Sequence, residues 1–417
     1  MNGRYYDIAV VGGGASGLTA AISAKEVCPE AKIAVVERLP RVGRKIIATG
    51  NGKCNLSNLN IDEGNYHGSV KALSVIRKMP GYRTFFSDYL GVVCAFGSEG
   101  REGGIYPRSN SSATIVNALR NRLKQLGIEE ICDWQVTGIA SANGGFALTG
   151  VNEKISCKRL IIAAGGYAAP SFGTDGGVLR ILRDMGYKVS KICPAVAPLR
   201  VDPSAVKGLK GVRVKGCISA VSGGKILRSE KGEMQFGENS ISGICVFNLA
   251  YLFQQYEGKM LLSADLLPDF TEKELADYLF GIRTARAELP LEELLTGIFV
   301  KNLAVYVMKR AVDRNMTDKI AGLKNAEIMA VVKLVKDLRF EVSGCSGWQS
   351  AQATMGGIHS SCVDERLESR LHKGLYLCGE ILDTAGDCGG YNLQWAWSSG
   401  MLAGGSCGKS VKINDRT

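Results

Sequence analysis

Residues 7–37, DIAVVGGGASGLTAAISAKEVCPEAKIAVVE, constrain the fold more than any other stretch. The apolar run 8–11 is too short for a helix and leads directly into glycines, so it reads as a strand. Gly12-Gly13-Gly14-Ala15-Ser16-Gly17 then supplies G-x-G-x-x-G. Gly12 suits the tight turn out of the strand. Gly14, without a Cβ, lets backbone approach a pyrophosphate, and Gly17 lets the following helix lie close to the sheet. The helix is expected over 15–26, with its first free N–H groups, from Ala15 and Ser16 onward, aimed at phosphate. A second strand over 32–36 ends at Glu37, twenty residues beyond Gly17. An acid there accepts the hydroxyls of an adenosine ribose and disfavours a 2′-phosphate, so FAD or NAD fits better than NADP. Arg38, beside it, is expected at the same site.

Bulk composition narrows the class. A chain of 417 residues with 46% hydrophobic content can build two or three cored domains. No apolar run reaches the roughly 18 residues of a membrane span. The first strand begins within about five residues, leaving no space for a signal peptide, and a cytoplasmic location is expected. Thirteen scattered cysteines without C-x-x-C point to reduced thiols rather than zinc or a disulfide framework. His67, His359 and His372 are the only histidines, and no pair has ligand spacing, so no metal site is expected. The net charge of +11 could attract RNA, an anionic steroid or a nicotinamide phosphate. Without a long basic block or interleaved aromatics it reads as solvated surface, and nucleic acid is not the expected partner. Oligomeric state is left open.

After Glu37 comes the polar, glycine-rich loop 38–58, with Arg41, Arg44 and Lys45 followed by Thr49-Gly50-Asn51-Gly52. A long loop inside a folded domain is usually functional. Its place after the ribose acid sets it over the cofactor. Helices are expected over 70–79, 82–90 and 111–126. Strands are expected over 92–96, 104–106, 128–137 and 145–149, the last two around Asn143-Gly144. The apolar run 160–164 into Gly165-Gly166 reads as a buried parallel strand. From about Tyr187 strand-like segments alternate with turns, at 199–201, 211–220, 225–228 and 234–236. Residues 271–338 have helical periodicity, and 339–342 return to strand. Residues 374–380 form a short strand ending in Gly379 and Glu380. Gly389-Gly390-Tyr391-Asn392 then opens a helix expected to end near Ala403, with small residues Gly400, Ala403 and Gly404 for close packing.

The expected fold is therefore α/β. A discontinuous Rossmann-like FAD-binding domain (1–186 and 345–417) carries an inserted, mostly antiparallel β-barrel-like domain (187–265 and 338–344) and a small helical subdomain (266–337). The returning strand–acid–loop–glycine–helix unit favours FAD over NAD, because flavoproteins complete their site in this way. A helix N-terminus beneath the N1–C2=O edge of the isoalloxazine would stabilise negative charge there.

These residues resemble a family, the BaiN-like bacterial NAD(P)/FAD-dependent oxidoreductases, also described as aminoacetone-oxidase-like flavoproteins. The resemblance rests on VGGGASGLTAA (11–21), GRKIIATGNGKCNLSN (43–58), AQATMGGI (351–358) and GLYLCGEILDTAGDCGGYNLQWAWSSG (374–400), with weaker support from GEMQFGENSISG (232–243). It implies the same three-domain plan. It also implies that Gly12, Gly14, Ser16 and Gly17 form the pyrophosphate turn and Glu37 the ribose acid. Lys45 and the loop Gly50, Asn51, Gly52, Cys54, Asn55 would meet the flavin half. Ala164 and Gly165 are counted with the cofactor site. Met355, Gly356 and Gly357 would approach the ring, Gly379, Glu380 and Asp383 the ribitol and pyrophosphate, and Gly390, Tyr391, Asn392 and Leu393 the pyrimidine edge. Where the family pattern carries Thr-His ahead of the Ser-Gly at 242–243, this chain reads Gly237-Glu238-Asn239-Ser240. Cys54 reads as a buried free thiol, with a redox or charge-transfer partner of the flavin as the sharper alternative.

The expected reaction passes hydride from NAD(P)H, bound transiently, through FAD to a small organic acceptor such as an enone. The resemblance makes a bile-acid-like steroid a candidate. Tyr391, Lys45 or Arg44 would supply the proton or positive charge. Two other classes stay open. One is an oxidase of amines or amino ketones using O2, and the other is an RNA-modifying flavoprotein.

Overall fold

The computed structural model describes residues 4–96, 103–142, 144–151, 153–256 and 258–414; Asn143, in one expected turn, lies outside them. The chain divides into two compact units, Met1–Cys193 with Gln352–Thr417, and Pro194–Ala351.

In the first unit the fingerprint folds as strand β1 (Arg4–Val11), helix α1 (Ala15–Val27) and strand β2 (Ile33–Val36). Among the described residues they anchor a seven-stranded sheet. Glu129–Ile131, β2, β1 and Lys154–Ile162 run parallel in that order. The free edge of Lys154–Ile162 is shared. Its first half pairs antiparallel with Gly145–Thr149, and its second half pairs parallel with Leu375–Leu377. Ile8, Ala9 and Val10 are wholly buried, as are Leu160, Ile161 and Ile162. Continuous apolar runs are what a parallel sheet covered on both faces requires.

The helix expected to end near Ala403 runs from Tyr391 to Asn414. Gly400 and Gly404, expected to allow close packing, belong to a glycine stripe that continues to Gly408. A Cβ on Gly400 would lie 2.4 Å from the Ser16 carbonyl oxygen, on Gly404 2.1 Å from that of Ala20, and on Gly408 2.6 Å from that of Ala24. Each step of four on one helix meets a step of four on the other in the same direction, so the two helices run parallel.

The strand expected over 128–137 is only Glu129–Ile131. Asp133 takes a positive φ, and the amides of Asp133 and Trp134 bond the carbonyls of Leu39 and Glu37. That backbone is committed to the edge of the fingerprint. Gly138–Ala142 becomes the hairpin partner of Gly145–Thr149 instead.

The second unit contains a closed antiparallel barrel. Its strands run in the order Leu199–Val201, Ser240–Ser242, Lys225–Phe236, Arg213–Ser222, Met260–Asp265, Leu338–Cys345 and back to the first. Alternation along Met260–Asp265 sends Met260, Leu262 and Ala264 inward. Phe236 and Phe340 meet inside, with ring centroids 5.9 Å apart. The strands expected at 225–228 and 234–236 are one strand, because the polar residues between them still pair across from Arg213–Ser222. Between the last two barrel strands lie helices Glu272–Ala285, Lys301–Ala311 and Asn325–Lys336, the first capped reciprocally by Thr271 and Glu274. This helical stretch belongs to the same compact unit as the barrel, Pro194–Ala351. Gly237 and Glu238 occupy the tight turn that enters Ser240–Ser242, closed by the Gly237 amide on the Ser240 carbonyl at 2.7 Å.

Candidate cofactor and active site

The fingerprint glycines separate by task. Gly12 has φ +106°, and a Cβ there would meet the Ala163 carbonyl oxygen at 2.4 Å. A Cβ on Gly17 would lie 1.9 Å from the Gly12 carbonyl oxygen. These two glycines let the turn close on itself. Gly14 differs: it caps α1, and a Cβ added there meets nothing within 4 Å. Its open side faces the free N–H groups at the start of α1, including those of Ala15 and Ser16, a cradle suited to phosphate. One Glu37 carboxylate oxygen accepts the Gly13 amide at 2.8 Å and the other the Leu39 amide at 2.9 Å. Each oxygen keeps lone-pair capacity for a sugar hydroxyl. Glu37, Arg38, Ala164 and Gly165 line one cleft with Val136 and Asp175. There Arg38 pairs with Asp175 at 2.8 Å. Burial, the largest single influence on the Asp175 carboxyl, pushes it up, but the hydrogen bond and charge of Arg38 with the Gly177 amide outweigh it and hold it below the usual range.

The second half of the site lies at the start of the long helix Tyr391–Asn414. Loop 49–58 is fastened to that helix. Ser57 donates to Gln394 at 2.6 Å, the Trp397 indole to the Leu56 carbonyl at 3.1 Å, and Asn58 to the Gly389 carbonyl at 3.0 Å. Gly50, Asn51, Gly52 and Cys54 all have positive φ. Asn and Cys in that region carry strain that packing must hold in place. Cys54 is fully buried, and burial pushes its thiol up to about 12. A thiol so disfavoured as thiolate fits the buried reading, not the redox one. Asn55 is also buried, yet its Oδ1 and Nδ2 have no hydrogen-bond partner among the described residues.

Several expected contacts are committed elsewhere. Lys45 Nζ pairs with Glu380 at 2.7 Å, and the other Glu380 oxygen accepts the Thr354 amide at 2.7 Å. Asp383 accepts the Ser69 amide and the Ser190 hydroxyl, at 3.0 and 2.6 Å. Asn392 closes its own loop on both backbone groups of Gly386. The glycines at 356 and 357 answer to protein backbone: their Cβ atoms would meet the Lys191 and Ile381 carbonyl oxygens at 2.2 and 2.7 Å. Gly379 makes room for Ser16. Gly390 has φ +100° and packs on Ser57 and Asn55. Leu393 is half-buried in the first helical turn.

The three candidate proton or charge donors are likewise sorted by the fold. The buried Tyr391 hydroxyl donates to the Asn60 carbonyl at 3.1 Å, and its ring meets Tyr66 edge-on. Lys45 is held by Glu380. Arg44 is exposed at the start of helix Arg44–Ala48.

One polar pair had no sequence signal. His67 Nε2 lies 2.9 Å from an oxygen of the buried Asp387. The two meet where Tyr66–His67 pairs with Ala385–Gly386, just ahead of the long helix. They are 320 residues apart in sequence.

A strand–glycine–helix cradle, an acid just past the second strand and a second parallel helix start are the features expected of a dinucleotide-binding oxidoreductase of the flavoprotein type. The model of the HI0933-like protein Rossmann domain matches residues 6–406. A 3-dehydro-bile acid delta(4,6)-reductase of Clostridium scindens is 35% identical over 408 residues, covering 95% of this chain and 98% of that protein. The chain therefore belongs to the HI0933-like Rossmann family, the BaiN-like group of flavin-dependent oxidoreductases that its motifs resemble. A ribosomal RNA dihydrouridine synthase of Escherichia coli is 26% identical, covering 94% of this chain and 96% of the synthase. Among solved structures, 3-ketosteroid delta1-dehydrogenase from Sterolibacterium denitrificans shares the fold with a TM-score of 0.55 at 13% identity, covering 98% of this chain and 100% of that one. No helix among the described residues is long and apolar enough to cross a membrane.

Proposed function

We propose that this protein is an FAD-dependent reductase that takes electrons from NAD(P)H and reduces a small organic acceptor whose C=C is conjugated to a carbonyl, a steroid-like enone being the first candidate. The observation that carries the reading is the stagger of the two parallel helices. Ser16, second residue of α1, sits beside Gly400, tenth residue of the long helix. The long helix therefore starts about 12 Å beyond the start of α1, at 1.5 Å per residue. Two electropositive helix ends facing the same way, offset along one line, suit an extended cofactor with a pyrophosphate at one station and an electron-accepting ring at the other.

When bound, FAD supplies the hydride transfer. The chain's own groups bind and orient it. The α1 amides and open Gly14 take the pyrophosphate, Glu37 the ribose, and the start of the long helix the ring edge that becomes negative on reduction. Of the three candidate donors Arg44 is the exposed one, available to a polar substrate group. The bile-acid reductase relative supports the enone class. Anaerobic titration of the flavin-loaded protein with NADH and NADPH, followed by a screen of enones, tests the reading. Bleaching of the flavin band by one nicotinamide and its recovery with an enone is expected. No bleaching by either would remove the proposed donor.

A second reading has its own support in the dihydrouridine synthase relative and the net charge of +11. It requires ribosomal RNA binding that falls steeply with salt and flavin-dependent loss of uridine.

A further inference from the structure

Asn55 is a polar group that the fold leaves unfinished. Its residue is 4% exposed, and both ends of its amide lack a hydrogen-bond partner among the described residues. Buried amides are normally paired, because stranding a donor or acceptor away from water is costly. The chain also accepts strain to place it. The residues on its N-terminal side run through positive φ at Gly50, Asn51, Gly52 and Cys54.

The amide stands at the start of the long helix. A Cβ on Gly390 would come within 2.7 Å of Asn55 Oδ1. Leu56 and Ser57 are tied to Trp397 and Gln394 on the helix itself, so Asn55 and the first helical turn keep a fixed relation. That turn carries backbone N–H groups with no acceptor inside the helix, and no acidic residue lies within the turn itself. The site therefore offers one side-chain acceptor, one side-chain donor and several backbone donors, all without formal charge.

We propose that Asn55 and the first turn of the long helix read an imide edge, the C=O, N–H, C=O sequence along one side of a pyrimidine-type ring. The amide oxygen accepts the ring N–H, the amide nitrogen donates to one flanking carbonyl, and a helix N–H donates to the other. The inference rests on the FAD reading, since the flavin's pyrimidine ring carries this edge. A uracil base carries the same edge, and the test separates the two sources.

The test uses wild-type and Asn55→Leu protein stripped of flavin, titrated with FAD and with FAD methylated at the imide nitrogen, and melted with and without FAD. Leucine fills the site without polar atoms. Asn55→Leu should weaken FAD binding about thirtyfold, the worth of two lost hydrogen bonds. Methylation should weaken binding to wild type but not to the variant. Without flavin, the variant should melt at or above wild type, since no stranded amide remains. A merely structural asparagine would give the reverse, a lower melting temperature and unchanged affinity, and that result overturns the proposal. If wild type binds no FAD at all, the FAD reading fails separately. Uridine monophosphate then decides the imide edge: binding lost in the variant supports it, and no binding to either protein overturns it. Equal FAD binding by both proteins, with uridine monophosphate bound by wild type alone, overturns the flavin assignment and moves the edge to the base.

Discussion

The two ends of the proposed cofactor site are built on opposite principles. At the fingerprint the protein satisfies itself. Gly12 and Gly17 close the turn, and Glu37 is already held by two backbone amides. At the loop 49–58, strained backbone delivers a buried amide that has no hydrogen-bond partner among the described residues. The first end is a preformed backbone cradle, and the second, on the proposal above, is completed by a ligand. Substitutions at the first end should divide cleanly between fold and binding, while at the second end binding and stability should move in opposite directions.

The largest effect expected is from Gly17→Val. Its Cβ would stand 1.9 Å from the Gly12 carbonyl oxygen, so the turn must open, at about 4 kcal/mol or more. Soluble yield and thermal unfolding measure it; an unchanged melting temperature would mean α1 does not pack on the turn. Gly14→Val should do the opposite. Its side chain enters open space, so flavin-free stability should stay within about 0.5 kcal/mol of wild type. FAD affinity should fall about a hundredfold, or about 2.7 kcal/mol. A yellow protein of normal stoichiometry would show that this space is not where the pyrophosphate lies.

Glu37→Gln is milder. The amide oxygen can still accept one backbone N–H, but the second acceptor and the charge are lost. FAD affinity should drop about tenfold, read by equilibrium titration of flavin fluorescence. Alanine is a poorer probe, because it would also strand the Gly13 and Leu39 amides.

The smallest effect concerns Cys54. With its thiol pushed up to about 12, it should resist alkylation from about pH 8 to about pH 10, where exposed thiols react. Mass mapping of modified peptides reads this out. A raised thiol favours the folded state fully below the free-thiol value of about 8.5, and this contribution is lost as pH climbs through about 12. Cys54→Ser should leave the visible spectrum of the loaded protein unchanged; a lost long-wavelength band would restore the charge-transfer role.

Much of the architecture was legible because it depends on short-range chemistry. The strand–glycine–helix–strand order of 7–37 and the buried parallel strand in the apolar run 160–164 are local patterns, and each formed as read. Failures came where tertiary partners overrode local signals. Gly404 and Gly408 did not end the long helix, because their missing side chains are what let it lie on α1. Polarity over 229–233 did not interrupt a strand, because the neighbouring strand pairs through it.

Within the candidate site the same division holds. The sequence by itself determined the fingerprint turn, the acid that follows the second strand and the presence of a second glycine–helix unit, since each is a matter of residue type at fixed spacing. Only the tertiary structure decided which polar side chains remain for a ligand. Lys45, Asp383, Tyr391 and Asn392 all look available in sequence, and all are engaged within the fold. Asn55 looks no different from them, yet its amide has no hydrogen-bond partner among the described residues. Hydrogen-bond satisfaction depends on partners up to 362 residues away, and no local pattern encodes who those partners are.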